Sequence, residues 1–319
     1  ATGAGGAMLE RFWHVSWRTA RLCAHETFFD CPHYEQMQFP GDTRVQAIFH
    51  YLIADEDRLA RKAIDDFHAS RVPEGLTLCK YPSQRAQILP TYSLYWIGML
   101  HDFRVYRGDL EFLRRYLPGA REVMAWFERR LRPDGMLGRL DYAPFVDWAR
   151  DFQCGNAPQD PDGGSAILTL LLAQACQWMA GLESACGFPQ LTGRWSRMGR
   201  DLVKATLRVC WDARRALLAD TAQRRSFSLH AQVEGILAGA WPQAKARAIL
   251  CKALDDEAIT QPGTFYYRYY VAQALKRVGE RRRFFDLLSP WEKCLPARAS
   301  ARGPKAQATR RAAIATPGR

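Results

Sequence analysis

The chain has 319 residues, 48% of them hydrophobic and 24% charged, which excludes an intrinsically disordered chain and allows one large or two ordinary domains. The net charge is +12, but Cys294–Arg319 hold six of the Lys and Arg residues and no Asp or Glu. The rest of the chain is close to an ordinary balance, without the interleaved basic and aromatic residues of a nucleic-acid surface, and no apolar run approaches the ~20 residues that span a bilayer, so neither nucleic acid nor membrane is an expected partner.

The first seven residues are Gly and Ala rich and lack the basic and apolar regions of a signal peptide. They read as the disordered start of a fragment. Apolar residues then recur at helical spacing over Met8–Cys23, Arg44–Ile53, Asp57–Phe67, Leu89–Tyr106, Leu110–Leu131, Ala166–Ala185, Arg194–Val209, Phe227–Leu237, Ala244–Leu254, Phe265–Val278 and Arg281–Leu288. Asp42, Asp55 and Asp109 stand where N-caps belong, and Pro242 suits a first helical turn. Ala216–Ala219 is the one hint of a strand. Long polar loops fall at 28–41, 70–85 and 132–164. Helices joined alternately by short and long connections predict stacked αα-hairpins, an all-α fold. The nine cysteines are scattered without a CxxC pair, which predicts buried thiols in a reducing, cytoplasmic compartment and neither a disulfide framework nor a zinc site. The segment from 294 to 319 has no periodicity and almost no large apolar residue, and is expected to be disordered.

Long loops in compact domains are usually functional, and these three are rich in Asp, Glu, Tyr, Trp, Pro and Gly, a composition suited to sugars. Asp30, Glu35 and Asp42 sit together in the segment from Glu26 to Arg44. Glycoside cleavage needs one carboxylic acid to protonate the leaving oxygen and a second carboxylate to handle water or the anomeric carbon. Neighbouring carboxylates raise one another's pKa, which keeps an acid protonated near neutral pH. A solvated loop with a capping Asp42 accounts for the same composition.

The string Asp30-Cys-Pro-His-Tyr-Glu35 followed by Gly41-Asp42 resembles the bacterial α-L-rhamnosidases, family 78 of the glycoside hydrolases. The resemblance continues through Leu22–Phe29, Tyr81-Pro-Ser83, Tyr106–Asp109, Phe145-Val-Asp-Trp148, Gly163-Gly-Ser165, Ser226–Gln232 and Phe265–Tyr270, and covers residues 8–293. It implies an (α/α)6 barrel of six helical hairpins and an inverting hydrolase of terminal α-L-rhamnosyl residues that needs no cofactor. It also implies a rhamnose-containing glycoside as substrate, and accessory β domains in the full-length enzyme that are missing here. By the same resemblance Glu35 is the general acid, Asp30 and Asp42 bind sugar hydroxyls and tune the acid, and Trp148 walls the sugar site. Tyr34 and Phe39 stand where many relatives carry Arg and Trp, departures that bear on substrate fit. Asp147 is balanced between a sugar contact and a loop brace. Arg44 favours a structural ion pair over substrate contact, Tyr92 lines the cleft or belongs to the core, and His230 reads best as a satisfied buried histidine.

An inverting enzyme also needs a base. In the rhamnosidases this is a late Glu in a segment like Gly-x-x-Thr-Trp-x-Glu, followed by a His-Ala-Trp helix that closes the barrel. Here the match stops at Lys293. Read one base out of frame, the codons of Arg298–Lys305 permit Gly-Phe-Gly-Thr-Trp-Ala-Glu, and those of Ala315–Gly318 permit His-Ala-Trp. The expectation is a frameshift near Lys293–Pro296, a barrel incomplete at its C-terminus and a lost base. The rivals are a sugar-binding remnant without activity, and another (α/α)6 glycosidase or lyase.

Overall fold

The structure is a computed structural model and describes residues 4–292. Its helices are α1 (Ala4–Leu22), α2 (Pro40–Ile53), α3 (Arg58–Ala69), α4 (Pro90–Tyr106), α5 (Leu110–Arg114), α6 (Leu117–Glu128), α7 (Ala166–Ala185), α8 (Pro189–Cys210), α9 (Leu229–Leu237), α10 (Gln243–Asp255), α11 (Phe265–Val278) and α12 (Phe284–Glu292).

Burial sorts them into two rings. In α3 only Ala60, Ala63, Ile64 and Phe67 are buried, one stripe at helical spacing. Helices α4, α7 and α9 are buried on nearly every side. An amphipathic helix covers a core, whereas one that is apolar all round lies within it. Helices α2, α4, α7, α9 and α11 follow one another side by side as the inner ring. Helix α3 lies over α2 and α4, α8 over α7, and α10 over α9 and α11, as outer partners. The first and last outer helices meet edge to face through Phe12 and Trp291, 6.2 Å between ring centres. This is the six-hairpin architecture, with five inner helices among the described residues.

The inner helices all begin at the same end of the barrel, beneath the long loops. Pro40 and Pro90 open α2 and α4 at positions where a missing N–H costs nothing. Ser228 and Thr264 cap α9 and α11, each accepting a backbone N–H from three residues on.

Several expectations need correction. Helix α1 begins at Ala4, so residues 4–7 are helical and not a disordered start, in spite of the low helix propensity of Gly5 and Gly6; residues 1–3 lie outside the described residues. Leu110–Leu131 is two helices, because Pro118 cannot donate to Arg114 and its ring excludes that carbonyl. Asp42 is not an N-cap: α2 starts at Pro40 and places Asp42 inside its first turn, with Phe39 at the cap. Asp55 takes a positive φ of 48° ahead of α3, and Asp57 stands at the N-cap position, where its side chain pairs with Arg61 at 3.1 Å and accepts no backbone N–H. Pro242 stands one place earlier than expected, at the cap of α10. Helix α7 is long and apolar enough to cross a membrane, but 89% of its apolar window is buried inside the protein, as an inner helix requires. Asp109 does cap α5, accepting Phe112 N–H at 3.0 Å. The strand hint at Ala216–Ala219 is met by Leu217–Leu218 pairing antiparallel with Trp211–Asp212. The expected disorder and reading-frame change at 293–319 lie outside the described residues.

Candidate active site

The loop between α1 and α2 is closed on itself. Asp30 N–H donates to the Met37 carbonyl at 2.9 Å, and Asp30 Oδ1 accepts Met37 N–H at 3.1 Å. The enclosed turn carries Tyr34 and Glu35 at an exposed tip, with Glu35 N–H directed at Cys31 Sγ, 3.4 Å away. Gln38 ties the loop's end to the barrel by donating to Asp66 at 3.0 Å and to the Tyr81 carbonyl at 2.9 Å. These bonds hold three carboxylates on one short stretch of chain: Asp30 buried, Asp42 half-buried, Glu35 exposed.

Tyr92, in the first turn of α4, feels the charge of this loop. Burial pushes its phenol well above the ordinary range, and the charges of Asp42 and Glu35 push it further. Phe39 stands edge-on to Tyr92 at 6.3 Å, Tyr92 to Phe145 at 5.9 Å, and Phe145 to Trp148 at 5.3 Å. Thr91 fixes this run by donating to the Phe145 carbonyl at 2.6 Å. Phe39, Tyr92, Phe145 and Trp148 thus form an aromatic wall that leads away from the carboxylates. It ends at Trp148, which is 53% exposed. An open ring such as Trp148 suits a sugar, which presents C–H faces and hydroxyl edges.

Sequence reasoning missed two members of this surface. Phe145 links Tyr92 to Trp148. Tyr266 comes from α11, at the other end of the run of inner helices: a Cβ on Gly41 would lie 2.7 Å from its hydroxyl, so glycine at this position leaves the Tyr266 side chain room against the start of α2. Tyr266 bonds Tyr270 at 2.8 Å, hydroxyl to hydroxyl. The i, i+4 spacing of these tyrosines was the available signal for an inward-facing pair.

Three residues put forward for substrate binding are engaged elsewhere. Arg44 Nε donates to Asp102 at 2.7 Å inside the barrel, and its guanidinium lies 4.3 Å from the ring centre of Trp178. His230 is fully buried between Phe152 and Tyr267, with Nε2 2.9 Å from Asp147. Asp147 is itself buried and receives three donors from the protein, which makes it a brace for its loop. A separate groove of about 510 Å³, lined by Glu128, Arg194, Arg197 and Asp201, runs between α6 and α8 on the outer ring. It holds none of the loop carboxylates, and its lining offers no acid beside an aromatic face.

The family profile for the bacterial α-L-rhamnosidase six-hairpin glycosidase domain matches residues 5–290. The chain belongs to this family. Among solved structures, the rhamnosidase six-hairpin fold is matched by the family 78 rhamnosidase of Bacillus sp. GL1 with a TM-score of 0.81 at 23% identity, over 91% of this chain and 30% of that one. The rhamnosidase of Klebsiella oxytoca, solved with rhamnose bound, matches with a TM-score of 0.77 at 21% identity, over 88% of this chain and 54% of that one. The family 63 mannosylglycerate hydrolase of Thermus thermophilus shares the fold more distantly, with a TM-score of 0.59 at 11% identity over 88% of this chain and 90% of its own. The rhamnosidase domain described here therefore spans about a third of the Bacillus chain and about half of the Klebsiella chain. No curated protein matches it.

Proposed function

We propose that this domain hydrolyses terminal α-L-rhamnosyl residues with inversion at the anomeric carbon. Glu35 protonates the leaving glycosidic oxygen. Asp42 accepts a sugar hydroxyl, and Asp30 holds the loop that presents the acid. Tyr34, Phe39 and Trp148 receive the sugar's apolar face, and Tyr92, buried in the core, backs Phe39. The observation that carries this reading is the closed loop of Asp30, Glu35 and Asp42 next to the ring contacts that run from Phe39 to Trp148, in a chain of the rhamnosidase family.

The base is a separate matter. After Glu292 the sequence contains no Asp or Glu. For the sequence as it stands we favour sugar binding without turnover, and we assign the base to the Glu that a one-base shift over 293–319 restores. The test is hydrolysis of aryl glycosides by this chain and by its frame-restored counterpart, with the product anomer followed by NMR. Inverted L-rhamnose from the restored chain alone supports both parts. Release of a different sugar, or retention, overturns the assignment of substrate or mechanism. Full activity of the present chain overturns the frame change and places the base among residues 1–292.

A further inference from the structure

Asp147 is 1% exposed, and each of its carboxylate oxygens is bonded by protein donors. Oδ2 accepts His230 Nε2–H at 2.9 Å and Gly263 N–H at 3.0 Å, and Oδ1 accepts the Thr264 hydroxyl at 2.5 Å. These donors belong to two inner helices: His230 lies in the first turn of α9, and Gly263 and Thr264 lead into α11. Because Thr264 Oγ1 already accepts Tyr267 N–H at 3.2 Å as the cap of α11, its one hydrogen is committed to Asp147. A buried carboxylate is costly unless its oxygens are bonded, and here they are.

The next residue is Trp148. Ala149 N–H returns to the Asp147 carbonyl at 2.8 Å, so Trp148 is thrown outward at the apex of a tight turn. Its own carbonyl rests on Gly263, where an added Cβ would fall only 1.6 Å from the Trp148 oxygen. The exposed ring is thus set by a buried clamp of Asp147, Gly263, Thr264 and His230. We propose that Asp147 is a positioning residue that fixes Trp148 against the starts of α9 and α11, and that it makes no contact with the sugar.

The sugar-binding arm of the test rests on the functional reading above; the fluorescence arm does not. Trp148 emission is isolated as the difference between proteins with and without Trp148→Phe. Asp147→Asn places an amide N–H₂ against at least one of the three donors. Trp148 emission should shift to the red and acrylamide should quench it more strongly, while the Trp148→Phe background shows no such change. Affinity for L-rhamnose should fall about tenfold, the worth of roughly 1.4 kcal/mol, and the loss should vanish in a Trp148→Ala background. Should Asp147→Asn fail to fold, Thr264→Val should reproduce the emission change and Thr264→Ser, which keeps the donor, should restore it. Unchanged Trp148 emission in Thr264→Val overturns the clamp, as do fully additive losses for Asp147→Asn and Trp148→Ala. A parent chain that ignores L-rhamnose but retains the emission coupling sinks the sugar assignment and leaves the clamp standing.

Discussion

Arg44 of α2 and Asp102 of α4 meet at 2.7 Å inside the barrel, with side chains 7% and 10% exposed. Burial alone would push the Asp102 carboxyl up, but the Arg44 charge and the hydrogen bonds from His101 and Arg44 outweigh it and hold the group below its ordinary range. The pair joins two neighbouring inner helices inside the barrel.

Breaking this pair on one side should be severe. Asp102→Asn leaves the guanidinium buried without its counter-charge, which costs about 3–5 kcal/mol. At about 2.1 cal/mol/K per residue over roughly 290 residues, that is a fall of about 5–8 °C in Tm. Replacing both partners, as Arg44→Met with Asp102→Leu, should recover much of the loss, because no charge is then stranded. The acid limb follows from the same shift. With a folded pKa below the unfolded one, the contribution is complete above the unfolded carboxylate value and is lost as pH falls through the folded one. Melting curves of both variants decide it; a single variant as stable as the parent would remove the pair from the barrel's support.

Glu35→Gln should abolish rhamnoside hydrolysis by the frame-restored protein and leave the melting curve alone, because the side chain is exposed. Removing a general acid costs about 10²–10⁴-fold for a poor leaving group, and less for an activated aryl group that departs without protonation. Equal losses on both kinds of substrate would count against Glu35 as the acid.

Asp42→Asn separates binding from folding. Asp42 lies in the first turn of α2, where a carboxylate gains about 0.3–1 kcal/mol from the helix dipole. Stability should therefore fall by less than about 1 kcal/mol. A hydrogen bond from a sugar hydroxyl to a charged acceptor is worth about 1.5–3 kcal/mol, so L-rhamnose affinity should drop by roughly 10–100-fold. A large loss of Tm with unaltered affinity per folded molecule would make Asp42 structural only.

The fold was legible because outer helices advertise one apolar stripe, as in Ala60, Ala63, Ile64 and Phe67, and inner ones are apolar all round. Boundaries were less so. Helical spacing and capping letters placed α2 at Arg44, whereas it starts at Pro40, a residue whose fixed φ and missing N–H also suit a first helical position. In the site, the order of residues revealed the carboxylate loop and Trp148 but could not say what lies across the barrel from them. Asp147 and His230 are 83 positions apart, and Gly41 of α2 meets Tyr266 of α11. Such pairs are made by closure of the barrel and leave no local pattern. Arg44 shows the converse: its type suggested a partner, and only the fold supplies Asp102.

Glu234 offers a last test, in pH. It is buried in α9, where Tyr267 donates to it at 2.6 Å and Gln174 donates to its other oxygen. Burial pushes its carboxyl up, and those two bonds together with the Arg44 charge only partly offset it, leaving a value of about 7 against an ordinary 4.5. The folded protein therefore holds a proton that the unfolded chain releases between these limits. Since the folded state binds more protons there, stability must fall as pH rises from about 4.5 to 7, by about 3 kcal/mol in all. Asp220, raised by burial to about 6, adds a slope of the same sign. Glu234→Gln keeps the shape and the neutral state, removes the titration and should flatten the fall of Tm over this range, leaving the smaller Asp220 part. The measurement is Tm at half-unit steps of pH for parent and variant at constant ionic strength. An identical slope in both would mean that Glu234 is already charged in the folded barrel and that Tyr267 and Gln174 stabilise the carboxylate instead of the acid.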